Sequence, residues 1–258
     1  MMTIMTSCDP IYLREHAPAL MVSAVVSGHN FHLHVVNAPP KDLLFMDRLS
    51  KECVTIGQRA GFTPRITTSS SGFRQMLPPN TNQYESADRV MWACDRFFTA
   101  WHMLQVYTAD SQPTFESLVI VDTDCVFLRP FDEPIEDVGL FVREPLKTPD
   151  VWESSGTKVA AGLVYVKNTP LGRYFLRNVT TRINQGPARW FLDQIAIAEA
   201  SESTLTPTTL YKFQSNILDW EFHDESVIWT GKGPRKYTNE AYLAKKATFT
   251  AMLSHANL

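Results

Sequence analysis

The chain has 258 residues, 44% of them apolar, and a formal net charge of -3, enough to bury a large core as one domain or one domain with a small appendage. That balance gives no electrostatic reason to expect nucleic acid as a partner. No export leader is visible at the start, and the apolar stretch from Ala17 to Val26 is too short to cross a bilayer.

The cysteines Cys8, Cys53, Cys94 and Cys125 lack any C-x-x-C spacing, which argues against a zinc site and a disulfide framework and for a reducing, cytoplasmic compartment. The Asn178-Val-Thr180 sequon carries no weight in a chain read as unexported.

In chain order, Thr3 to Thr6 reads as a short strand that stops at Ser7-Cys8-Asp9, and Pro10 sits where a helix can start. Ile11 to Ser27 fits one helix closed by Gly28. Phe31 to Asn37 alternates as a second strand, Lys41 to Ala60 as a helix ending at Gly61, and Phe62 to Thr67 as a third strand. This β-α-β-α-β order implies a mostly parallel sheet covered by helices, a fold that binds ligands at the C-terminal ends of its strands. Thr67 to Tyr84 is polar and aperiodic and reads as a surface loop. Asp88 is placed to cap a helix whose apolar stripe is Val90, Cys94, Phe97, Trp101 and Leu104. Arg89 and Arg96 fall on its other side, in solvent or an ion pair.

The most informative segment is LVIVDTDCV, residues 118 to 126. An extended backbone would bury Leu118 to Val121 and bring Asp122 and Asp124 out together at the strand end, a site suited to Mg2+ or Mn2+. A bare D-x-D is common by chance, and its place at the end of an apolar run gives it meaning. Further strands are expected at Val138 to Val142 and Lys158 to Val166, the latter opening on the small residues Ala160, Ala161 and Gly162. Helices are expected from Thr169-Pro170 and from Trp190 to Ile195, and Gly231 to Lys236 forms a small basic loop without P-loop spacing.

The order of Cys8-Asp9, Arg96-Phe97, VDTDCVFLRPFD, AAGLVYVKN, WFLDQ and GKGPRK resembles the GT-A fold glycosyltransferases, in particular the retaining family 8 type, from about residue 2 to 236. The resemblance implies an α/β GT-A fold with a Rossmann-like, mostly parallel sheet, one domain over 1–258 with a donor half to about residue 130 and an acceptor half beyond. It implies hexosyl transfer with retention from a nucleotide-sugar, usually a UDP-sugar, with Mn2+ or Mg2+, to a glycan, lipid or protein acceptor. By this comparison Asp9 faces the base and Arg96 holds the donor. Asp122 and Asp124 contact ribose and metal, Gly162 lets the donor approach the backbone, and Gly231, Lys232 and Lys236 meet the diphosphate. Asp193 and Gln194 lie by the transferred sugar. Where relatives carry a histidine ligand the chain has Trp229-Thr230, which leaves His223 as the candidate third ligand, and Ala160-Ala161 stand where relatives have Asn or Ser. Two other readings compete. One is a weakly active nucleotide-sugar or glycan binder of the same fold. The other is a phosphohydrolase of the haloacid dehalogenase type with Asp122 as nucleophile.

Overall fold

The computed structural model describes residues 2–72, 87–143, 158–188 and 191–253. Its strands are β1 (Met2–Cys8), β2 (Asn30–Val36), β3 (Ile66–Ser71), β4 (Ser117–Val121), β5 (Cys125–Phe127), β6 (Val138–Val142), β7 (Val159–Lys167), β8 (Leu210–Lys212), β9 (Leu218–Asp219) and β10 (Ile228–Thr230). Its helices are α1 (Pro10–Glu15), α2 (Ala17–Val26), α3 (Pro40–Arg59), α4 (Ala87–Met103), α5 (Pro170–Gln185), α6 (Leu192–Thr204), α7 (Arg235–Thr238) and α8 (Glu240–Thr250). One sheet runs β3-β2-β1-β4-β7-β6-β8 and a second runs β5-β10-β9. β1-β2, β2-β3 and β6-β8 pair in parallel and β6-β7 antiparallel, the mostly parallel α/β architecture expected from the sequence.

The chain divides into two compact units, one built from residues within 73–120 and 134–213 and the other from 2–72, 121–133 and 214–258. In the second, α2 is apolar on every side and is buried from Ala17 to Val25, as a helix packed against α3, β2, β5 and α8 must be. The single helix expected over Ile11 to Ser27 is broken at His16. Pro18 has no N–H to donate and its ring disfavours continuation from the preceding turn, so α2 starts afresh with proline in its first turn. Gly28, at φ +84°, ends α2 as expected. Its N–H donates to Val25 O at 2.9 Å and that of His29 to Ala24 O at 3.1 Å, a left-handed closure that glycine adopts at little cost.

The third strand lies later than expected, at Ile66–Ser71, because Pro64 interrupts the apolar start and polar groups hold the residues beyond it. His32 Nδ1 and Nε2 lie 2.8 and 2.9 Å from the hydroxyls of Thr67 and Ser69, and His34 Nδ1 and Nε2 lie 2.7 and 2.9 Å from those of Ser69 and Ser71. Residues 68–71, read as loop, are therefore strand; Gly72 follows the strand, and 73–84 of the expected loop lie outside the described residues. In the other unit, α5 and α6 pack on each other and α6 on β7. The expected stripe of α4 is inside at Val90, Cys94 and Phe97, with Leu104 buried just past its end. All four cysteines are buried thiols.

Candidate functional site

β4 ends at Val121 and the chain turns at once: Cys125 N–H donates to Asp122 O at 3.1 Å. Thr123 points inward, its hydroxyl 2.9 Å from that of Thr6, which donates to Val121 O at 2.9 Å. The two aspartates are thus presented by a tight turn between β4 and β5, not by the strand alternation expected. Asp124 is 7% exposed and Asp122 is half-buried.

The second sheet brings the basic loop to this turn. β10 pairs antiparallel with β5, setting Thr230 opposite Cys125, and Gly231 N–H donates to Asp124 O at 2.9 Å. Tyr242, from α8, donates its hydroxyl to the same oxygen at 2.8 Å. Lys236, in α7, points back: its Nζ lies 2.6 Å from Asp124 Oδ2 and 2.6 Å from the Tyr12 hydroxyl, and 4.7 Å from the centre of that ring. Gly231 is required by this packing, since a Cβ there would sit 2.7 Å from Lys236 Cβ and 2.8 Å from Tyr242 Cζ. Lys232 is exposed, its Nζ 5.5 Å from the Trp220 ring centre.

Burial opposes a charge on Lys236, but the Asp124 carboxylate outweighs it and holds the ammonium above the ordinary lysine range. Burial raises Asp124 as well; Lys236 opposes that rise and Asp122 adds to it. An ion pair alone would lower the acid, so the upward direction at Asp124 reflects its desolvation. The 2.6 Å contact with a lysine that stays protonated marks the pair as ionic.

As arranged, these residues do not fit a Mn2+ or Mg2+ cage. Among the described residues no three His, Cys, Asp or Glu side chains converge on a point that could hold a metal ion. Seating one on both carboxylates would pull Asp124 from Lys236 and strand a buried ammonium, at roughly 3–5 kcal/mol. His223 is engaged elsewhere, its Nδ1 3.0 Å from Asp219 Oδ2 and its side chain 61% exposed. Burial favours protonating Asp219, but hydrogen bonds from the His223 and Glu221 N–H groups and the Ser226 hydroxyl hold it below the usual carboxylate range.

Asp9 serves the fold: its Oδ1 accepts from the N–H groups of Ile11 at 2.6 Å and Tyr12 at 2.9 Å, capping α1. The cap places Tyr12, and through it Lys236. Tyr12 and Tyr242 are the site residues that sequence reasoning missed, because nothing local marks a tyrosine whose partner lies in a distant element.

In the other unit, Arg96 is 5% exposed and donates to Asp193 Oδ2 at 2.8 Å, so it forms an ion pair and is not in solvent. Asp193 Oδ1 accepts from Gln194 N–H at 2.8 Å in the first turn of α6. That helix starts from Phe191, a non-glycine residue at φ 68°, a left-handed backbone that costs about 1–3 kcal/mol. Gln194 Oε1 is shielded from solvent with no hydrogen-bond partner among the described residues. Gly162 lies where the β6–β7 register slips: Leu140 pairs with Val164 but Phe141 with Ala160, a bulge that takes in Ala161, Gly162 and Leu163.

No protein-family model matches the chain, and a search of curated proteins gives no match. Among solved structures it is similar to the galactosyltransferase LgtC in complex with donor and acceptor sugar analogues, at a TM-score of 0.56 and 11% identity over 99% of this chain and 96% of that one. It is also similar to WbbM, a bifunctional glycosyltransferase, at a TM-score of 0.55 and 11% identity over 96% of this chain and 49% of that one. At such identity the likeness is one of fold.

Proposed function

We propose that the chain is a glycosyltransferase that moves a hexosyl group from a nucleoside diphosphate donor, a UDP-sugar, to an acceptor, with retention. The observation that carries this reading is the joining of Gly231 and Lys236 to the Asp122–Asp124 turn, in a chain whose fold is similar to that of a galactosyltransferase along nearly its whole length.

The chemistry asks for fixed positive charge. The bond between the anomeric carbon and the diphosphate oxygen breaks with its electron pair going to that oxygen. The acceptor oxygen bonds the same carbon and its proton passes to the departing phosphate oxygen. Lys232 and Lys236 meet the growing negative charge, and Lys236, held by Asp124 and Tyr12 before reaction, lowers the barrier without reorganising. Front-face substitution of this kind needs no strong protein base. For Asp193 we infer a sugar-orienting role: Arg96 fixes its carboxylate in place, and the adjacent Gln194 Oε1, without a hydrogen-bond partner among the described residues, suits a sugar hydroxyl.

The test is a thermal-shift screen of nucleotides and nucleotide-sugars with donor hydrolysis as second readout. UDP is expected to stabilise the chain, and Asp193→Asn to leave that shift while slowing hydrolysis by on the order of 10²–10³. A chain ignored by every nucleotide but stabilised by aluminium fluoride with Mg2+ would be a phosphohydrolase. Nucleotide binding without hydrolysis or transfer would make it a binding protein of this fold.

A further inference from the structure

We propose that the Lys236 ammonium is the resident cation of the Asp122–Asp124 turn, and that the donor diphosphate is bound there without a divalent metal. The proposal rests on the nucleotide-sugar reading for its ligand, but not for its account of the cation. A positive charge already sits where the sequence pattern leads one to expect a metal, 2.6 Å from Asp124 Oδ2, with both side chains about nine-tenths buried.

Its position is fixed from several directions. The Tyr12 hydroxyl takes one N–H of the ammonium, and Asp9 sets the helical turn that carries Tyr12. The Asp124 backbone is pinned by Gly231 N–H and the Tyr242 hydroxyl. The Cβ position at Gly231 is filled by Lys236 and Tyr242, so α7 packs directly on the Gly231 backbone. Lys246, whose Nζ lies 3.1 Å from His16 Nδ1, is held below the ordinary lysine range by burial, with Glu15 and Asp124 opposing that fall and Lys236 adding to it. Lys236 offsets the Asp124 carboxylate and is the ammonium that a diphosphate meets at this turn. His223, the candidate third metal ligand, is turned to Asp219.

The experiment follows free Mn2+ by electron paramagnetic resonance as the full chain is titrated with Mn2+ alone, and pairs this with UDP thermal shifts in EDTA and in Mn2+. The wild-type chain is expected to take up no Mn2+ at micromolar concentration and to show the same UDP shift in both buffers. Lys236→Met vacates the cation position, so it should bind Mn2+ at least roughly tenfold more tightly than wild type and be stabilised by it, whereas Lys236→Arg should not.

Micromolar Mn2+ uptake by wild type that disappears in Asp124→Asn would overturn the proposal. So would a UDP shift seen only with Mn2+, or a folded Lys236→Met with no gain in Mn2+ uptake. If Lys236→Met does not fold, the wild-type titration alone decides. If no nucleotide shifts the chain at all, the nucleotide-sugar reading fails, while Mn2+ uptake still decides where the cation comes from.

Discussion

Arg96 and Asp193 show how much a single pair can weigh when neither partner sees water. Their side chains are 6% and 9% exposed at a separation of 2.8 Å. Two desolvated charges gain little net stability by meeting, but removing one leaves the other buried without its counter-charge. Arg96→Leu is therefore expected to cost about 3–5 kcal/mol, and Arg96→Leu/Asp193→Leu distinctly less than the sum of the two single changes. Urea unfolding of the four proteins measures the coupling, and additive losses would show that the pair does not act as a unit. The pair could not be read from the sequence. The helical period of α4 places Arg96 off the apolar stripe, where solvent or an ion pair is the expectation, and nothing local names a partner that stands 97 residues along the chain.

At the scale of elements, the junction of β10 and α7 carries the candidate site, and Gly231 is its tightest point. Gly231→Ala would drive a methyl group to within 2.7 Å of Lys236 Cβ and 2.8 Å of Tyr242 Cζ, so α7 must shift or the tyrosine must turn. Overpacking of this kind costs about 1–3 kcal/mol, and here it should also weaken the UDP shift by moving Lys236. Denaturant midpoints with UDP titrations check both effects, and a variant as stable as wild type would show that α7 packs otherwise.

The periodic elements were legible in the sequence: β2, α3, β6 and β7 fall within a residue or two of their expected bounds, and α5 starts where expected. The second sheet was not, because its strands are only two or three residues long and their pairing comes from distant parts of the chain. β3 escaped for a different reason, since its order comes from hydroxyls set against His32 and His34 and not from apolar alternation. Asp122, Asp124, Gly231 and Lys236 were each visible as candidates. That a lysine would close on Asp124 depends on α7 and Tyr12, and no spacing encodes that.

For the molecule as a whole, acid should act on one unit before the other. His16, His29 and His32 all belong to the unit made of 2–72, 121–133 and 214–258, and burial is the main cause that pushes them down from 6.5 to about 3, 4 and 3. Lys246 and Lys236 lower His16 further and His34 lowers His32, while Asp132 works the other way at His29. The His29 ring has a reason to stay neutral, because its Nε2 accepts the Phe131 N–H at 2.9 Å. From about pH 7.5 upward these rings are almost wholly neutral folded or unfolded and contribute no pH dependence. Below it the unfolded chain takes up protons that the folded chain refuses, so stability falls as pH drops. The fall continues to about 4 for His29 and about 3 for the other two. Each ring adds a slope of at most about 1.4 kcal/mol per pH unit. Urea midpoints are expected to hold steady above about pH 7.5 and to decline below it, with His29→Gln, which keeps an acceptor but cannot titrate, reducing the slope by roughly a third. Hydrogen exchange at about pH 5 should show protection failing first in α2, β1 and β2, which carry or adjoin these rings. A midpoint unchanged down to about pH 4.5, or protection lost first in α5 and α6, would mean that these histidines do not set the acid limit.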